Sequence, residues 1–169
     1  LSEVEVGDLQ FVPSLEKPIN IKSEDGLINS RLLFGKFLNL DGSPWASCTR
    51  SILENALDQL RTKYELELEI GIELEFYLLD NSRSYLNAYS LESFIEEETF
   101  LAEYAELLIS SGVGLKSLHS ENGTAQYELT INRTSPMEVA DQLVLSKAIG
   151  QILATKRKRH LSFSPIVDQ

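Results

Sequence analysis

Glu73, Glu75, Glu121 and Glu128 are the residues of this chain whose type and placement suit chemistry. Carboxylate oxygens are hard donors, and hard divalent ions such as Mg2+ and Mn2+ prefer them. Glu73 and Glu75 belong to the run Leu66 to Leu79, LELEIGIELEFYLL. In it Glu67, Glu69, Glu73 and Glu75 fall on one parity, and Leu66, Leu68, Ile70, Ile72, Leu74 and Phe76 on the other. Such period-two alternation describes a strand with one apolar face, whereas a helix would mix the two sets around its circumference. Nothing basic is interleaved on the acidic face. Alternation alone leaves two readings of that face: a solvated outer surface, or carboxylates aimed at a positive ion.

Glu128 lies in a second alternating run, Gln126 to Asn132 (QYELTIN), with Tyr127, Leu129 and Ile131 on one face and Gln126, Glu128 and Thr130 on the other. Two such strands adjacent in an antiparallel sheet bring their polar faces into register, so carboxylates from each come close together. Glu121, just ahead of the second run, is placed to join them. Carboxylates converging in a cleft cannot all stay ionised without a cation; some take up protons instead. One or two Mg2+ or Mn2+ ions make the arrangement favourable.

The elements that must position these residues follow from the rest of the chain. Before the first run, Ser47 or Thr49 caps an expected helix to about Lys63, with Ile52, Leu53, Ala56, Leu57 and Leu60 on one side. Asp80 to Tyr89 reads as a loop. Leu91 to Ile109 reads as a second helix whose Glu96, Glu97, Glu98, Glu103 and Glu106 form a wet face, closed by Ser110-Ser111-Gly112. Val113 to Leu118 is a strand. A third helix runs from Pro136 to about His160, with Val139, Leu143, Ile149, Ile152 and Leu153 inward. Its end, Lys156 to Arg159, sets four cations where the helix dipole favours them. Leu161 to Val167 begins another strand. Toward the start, Val4, Val6, Leu9, Phe11 and Val12, then Ile19 and Ile21, make short strand pieces, and Arg31 to Leu40 reads as one strand. The fold class is therefore α+β, mainly antiparallel sheet with three helices.

Bulk properties narrow the classes. The 169 residues carry a net charge of −11, which argues against a nucleic-acid partner. A 43% apolar share allows a real core. Cys48 is the single cysteine, so neither an internal disulfide nor a cysteine-rich zinc site is expected, and a reducing, cytoplasmic setting fits best. No apolar run approaches the roughly 20 residues that span a bilayer, and no signal peptide is read at the start. Asn122-Gly-Thr and Asn132-Arg-Thr match the glycosylation pattern and are taken as chance. Gly-rich phosphate loops, Ser-His-Asp arrangements and repeats are absent.

Several segments, in order, resemble the glutamine synthetase family. Gly71-Ile-Glu73-Leu-Glu75-Phe76-Tyr-Leu is similar to that family's G-x-E-x-E-F-x-L strand, and Glu121-Asn-Gly-Thr-Ala-Gln126-Tyr-Glu128 to its E-x-x-x-G-Q-x-E segment. His119 matches the histidine two positions before the first of those glutamates. Ala140-Asp141, Lys147 and Leu161 to Pro165 resemble the following helix and strand, and Asp41-Gly42 with Cys48-Thr49-Arg50 resembles the approach to the first helix. The resemblance implies a partial N-terminal β-grasp domain over residues 1–45 and the first part of the catalytic domain over 46–169. It implies that Glu75, Glu121 and Glu128 bind one divalent ion, that Glu73 helps bind another, that His119 sits near the nucleotide, and that Gln126 supports the site by hydrogen bonds. The implied reaction transfers the γ-phosphoryl of ATP to the side-chain carboxylate of glutamate, and ammonia or an amine then attacks. The implied assembly is a homo-oligomeric ring. Ala125 replaces the family glycine before Gln126, Ile166 the lysine after Pro165, and Cys48-Thr49 the Asp-Pro before Arg50. The family's later metal-binding histidine and glutamate and its phosphate-binding arginines lie outside these residues, so the expectation is the middle of an enzyme, inactive alone. A non-catalytic scaffold or binding protein that keeps the fold is the alternative.

Overall fold

A computed structural model of the chain describes residues 7–15, 17–79 and 88–165. In chain order its elements are β1 (Gln10–Pro13), β2 (Ile19–Lys22), β3 (Asn29–Leu32), β4 (Gly35–Leu38), α1 (Thr49–Tyr64), β5 (Ile70–Leu79), α2 (Leu91–Glu96), α3 (Glu98–Ser110), β6 (Leu115–Ser120), β7 (Gln126–Thr134), α4 (Pro136–Lys156) and β8 (His160–Ser162). The mixture of helices with antiparallel strand pairs is α+β, as the sequence pattern predicts. Contacts group the described residues into two compact units, 7–18 with 32–68, and 19–31 with 69–165. No helix among the described residues is long and apolar enough to cross a membrane.

In the first unit β1 pairs antiparallel with β4, from Gln10 opposite Leu38 to Pro13 opposite Gly35. The two backbones meet closely at Gly35, where a Cβ would stand 2.5 Å from the Val12 carbonyl oxygen. Only glycine allows that approach, and the single strand expected over Arg31 to Leu40 divides here: its first part pairs with β2, its second with β1. Phe37 meets Phe11 at a tilt of 54° with ring centres 5.3 Å apart, and Trp45 edge-on at 6.1 Å. The N-cap of helix α1 is the buried Cys48, one residue from either expected cap.

The second unit carries the four-stranded sheet β6-β7-β5-β8. The supposed adjacency of the two alternating strands is present: β5 and β7 are antiparallel partners, with Leu74 opposite Leu129 and Phe76 opposite Tyr127. These apolar residues face α2–α4 and join Leu78, Leu101, Tyr104, Leu108, Ile131, Ile149 and Leu153 in the buried core. Each large side chain so buried contributes about 1.5–3 kcal/mol. Phe76 packs edge-to-face on Tyr104 at 5.6 Å, and the Tyr104 hydroxyl donates to the Ser146 carbonyl at 2.8 Å. Burial holds that hydroxyl protonated well above its ordinary range.

Four expectations need correction. The strand expected from Leu66 begins at Ile70, because β7 ends at Thr134, the partner of Ile70. Without a partner strand, Leu66 and Leu68 stay 53% and 44% exposed despite their parity. The single helix expected over Leu91 to Ile109 breaks at Glu97, which has φ −113 and ψ 11. The glutamate face of that helix is not uniformly wet: the Glu97 side chain is only 3% exposed and accepts from Arg159 at 2.6 Å. Finally, α4 ends at Lys156 rather than near His160, and two of the expected dipole-capping cations pair with acids elsewhere. Arg157 meets Glu103 at 2.6 Å and Asp25 at 2.7 Å. The Asp25 carboxyl is held down to about 2, chiefly by the Ser23 hydroxyl, then by the Leu27 N–H and Arg157. The chain parts expected before Gly7, over most of Asp80 to Tyr89 and at the end of the last strand lie outside the described residues.

Candidate functional site

Pleat geometry sends directly opposed residues of neighbouring strands to the same face. Glu75 on β5 lies opposite Glu128 on β7, and Glu128 lies opposite His119 on β6. Three polar side chains therefore stand abreast on the face that turns away from the helices. Glu73, two residues along, lies opposite Thr130 on the same face and is exposed. Glu121 follows the end of β6; its N–H donates to the Gln126 carbonyl at 2.8 Å, which extends the ladder by one rung and sets Glu121 on this face too.

Each of three carboxylates has its own donor. The Gln126 amide nitrogen donates to Glu75 Oε2 at 2.7 Å. That amide has one orientation, because its Oε1 accepts the Gly123 N–H at 2.7 Å, which leaves the NH2 for Glu75. The Thr130 hydroxyl donates to Glu128 Oε1 at 3.2 Å, and His119 Nε2 lies 3.4 Å from the same oxygen. His119 Nδ1 sits 3.0 Å from the Ser120 carbonyl. The Glu128 side chain is 13% exposed. Glu121 is met by the hydroxyl of Tyr89. The hydrogen bond to Glu121 is the main reason the Tyr89 hydroxyl is held above its ordinary value; loss of water and the charges of Glu121, Glu128 and Glu75 add to it. One hydroxyl thus feels carboxylates from three separate segments.

Among the described residues, no group of three or more His, Cys, Asp and Glu side chains is drawn together as a metal-holding set. The donors nonetheless fit a hard cation in kind: carboxylate oxygens on rigid strands, with an imidazole alongside. An ion shared by Glu75, Glu121 and Glu128 can use the oxygens these bonds leave open, since Gln126 takes only Glu75 Oε2 and Thr130 only Glu128 Oε1. A strained turn holds the segment between them. Ala125, where the resembled segment has glycine, is left-handed with φ 55. That conformation costs a residue with a Cβ about 1 kcal/mol. The turn is secured by Gln126 N–H to the Gly123 carbonyl at 3.1 Å and Leu78 N–H to the Ala125 carbonyl at 3.0 Å.

Sequence reasoning did not single out Tyr89 and Ser120. Tyr89 follows a segment with no periodicity, and its tie to Glu121 depends on the fold. The only local signal was Ser90, a good N-cap, whose hydroxyl accepts the Ser93 N–H at 3.1 Å and so fixes where α2 starts.

Comparison with known proteins bears on this arrangement. The model of the glutamine synthetase catalytic domain matches residues 46–168. Type-1 glutamine synthetase 1 of Dictyostelium discoideum is 28% identical over 157 residues, which cover 79% of this chain and 31% of that relative. The chain thus spans about a third of the length of that curated relative. Among solved structures, a novel glutamine synthase homolog superposes with a TM-score of 0.84 at 24% identity, over 96% of this chain and 38% of that one. A complex of GmaS with ADP superposes with a TM-score of 0.83 at 19% identity, over 95% and 38%.

Proposed function

The chain belongs to the glutamine synthetase catalytic-domain family, and from that premise we propose that it is part of an ATP-dependent carbon–nitrogen ligase. The parent enzyme activates the γ-carboxylate of glutamate for attack by ammonia or an amine and works as a ring of copies. The part from residue 46 belongs to the catalytic domain, which the start of the family match at that residue supports. Residues 1–45 would then be the end of a β-grasp domain.

In this reading Glu75, Glu121 and Glu128 hold one Mg2+ or Mn2+, and Glu73 contributes to a second. A divalent ion there supplies charge neutralisation and alignment of the ATP phosphates. His119 lies beside the nucleotide; that a neighbour of like fold was solved as a complex with ADP agrees with a nucleotide-using parent enzyme. Gln126 keeps Glu75 aimed along the sheet face, because its own amide is fixed by Gly123. The β-strand register makes this placement rigid, which a site for phosphoryl transfer needs. One observation carries the reading above the rest: Glu75, Glu128 and His119 are in register across three strands, with Glu121 acting on the same Tyr89 hydroxyl as Glu75 and Glu128.

Calorimetric titration of the chain with Mn2+, beside the Glu75→Ala variant, tests it. Glu75 is exposed and outside the core, and the variant leaves only the buried Gln126 NH2 without this acceptor, so its melting temperature should fall by no more than about a few degrees. Loss of one carboxylate ligand should weaken binding by roughly tenfold or more. Equal heats and affinities for both proteins would mean that the acidic face is merely solvated.

A further inference from the structure

Ser120 lies between His119 and Glu121, and the pleat sends it to the opposite face from both. It is 5% exposed. Its hydroxyl donates to the Ser90 carbonyl at 2.9 Å, at the N-cap of α2. One residue away the bond runs the other way: the Tyr89 N–H donates to the Glu121 carbonyl at 3.2 Å. Residues 89–90 and 120–121 are thus clasped by two reciprocal bonds. Tyr127, opposite Ser120 in register, adds a third, its hydroxyl donating to the Ser93 carbonyl at 2.9 Å. The clasp sets the backbone from which the Tyr89 side chain reaches the Glu121 carboxylate.

We infer that Ser120 is a positioning residue for the carboxylate site, acting from the far face of the sheet through the Tyr89–Glu121 pair. The inference rests on the cation-binding reading given above. Ser120 touches no carboxylate itself. It fixes the start of α2, and that start fixes where Tyr89 presents its N–H and hydroxyl to Glu121. A cation drawn to Glu121 then finds a carboxylate already located rather than one free to sample many rotamers. Groups that bond a metal ligand directly change metal affinity by about 10- to 100-fold when removed, and Ser120, one step further out, should sit at the low end of that range. The linkage also runs backward: an ion that fixes Glu121 should order the backbone at Tyr89, since a coupling between two sites is reciprocal.

Ser120→Ala and Ser120→Thr are the variants to compare with the unaltered chain, with Mn2+ as the probe. Three readouts are needed: Mn2+ affinity by calorimetry, amide hydrogen exchange over residues 88–93 with and without Mn2+, and melting temperature. The expected result is roughly tenfold weaker Mn2+ binding in Ser120→Ala, faster exchange at Tyr89 that Mn2+ partly reverses, and recovery of both in Ser120→Thr. A lowered melting temperature with unchanged Mn2+ affinity would overturn the inference and leave Ser120 a structural residue. If the unaltered chain and Glu75→Ala bind Mn2+ alike, the cation reading itself fails. If Glu75→Ala loses binding but Ser120→Ala does not, only the positioning role fails.

Discussion

Arg159→Met lowers the stability of the chain to urea by about 3 kcal/mol. The reason is an imbalance of burial. The Glu97 side chain is 3% exposed and the Arg159 side chain 26%, and their charged atoms lie 2.6 Å apart. Removing the cation leaves a carboxylate in a place where water cannot replace the lost partner, and such broken buried pairs cost about 3–5 kcal/mol. The lower end applies, because Glu97 keeps a further interaction. The charge, not the bulk, is responsible, since methionine fills a similar volume. A second substitution tests that: Glu97→Leu on the Arg159→Met background should recover most of the loss, because an apolar pair of similar volume has no charge to desolvate. A loss below about 1 kcal/mol, or two losses that simply add, would show that the pair does not clamp the α2–α3 break.

Gly150→Ala should destabilise by about 2 kcal/mol, against the trend for helices. In an exposed helix interior, alanine for glycine stabilises by about 1 kcal/mol. Gly150 is instead a contact point in the middle of α4. A Cβ there would stand 2.9 Å from the Tyr104 hydroxyl oxygen, 3.1 Å from Tyr104 Cζ and 3.3 Å from Phe163 Cζ. A flexible side-chain end could step aside, but this hydroxyl is tied to the Ser146 carbonyl at 2.8 Å and the ring is fully buried. Overpacking of that kind costs about 1–3 kcal/mol. Thermal or urea unfolding decides the sign. Tyr104→Phe should lose stability on its own by freeing the Ser146 carbonyl, yet should make Gly150→Ala less harmful by removing the nearest atom. A stabilised Gly150→Ala variant would contradict the close packing of α3 on α4.

Both effects concern features that no local pattern announces, and they mark where reading the sequence stops. Parity placed Leu74, Phe76, Tyr127, Leu129 and Ile131 in the core, and each is buried. Parity left it a supposition that these two strands share one antiparallel sheet, and the register of β5 with β7 bears that supposition out. Pro136 and Glu138 marked the start of α4; the structure adds the Ser135 hydroxyl, which accepts the Glu138 N–H at 3.4 Å. Alternation could not say where β5 begins, because Leu66 and Leu68 carry the same pattern as Leu74 and differ only in having no strand beside them. Nor could it find the break at Glu97, whose partner is 62 positions away. In the candidate site, residue types and spacing named Glu73, Glu75, Glu121 and Glu128, and resemblance added His119 and Gln126. Register then set Glu75, Glu128 and His119 abreast. Tyr89 and Ser120 remained hidden, since their contribution is a meeting of two segments rather than a motif.

Line broadening by Mn2+ in an amide NMR spectrum of the chain is the most direct test of the shared ion site. Paramagnetic broadening falls steeply with distance from the ion, so it reports which acids gather around it. At substoichiometric Mn2+ the amides of Glu75, Glu121 and Glu128 should fade first and together, while those of Glu96, Glu98 and Glu106 on the helices persist. Fading that begins on the helix glutamates, or that spreads evenly over every acidic surface, would contradict a common cation at the sheet face.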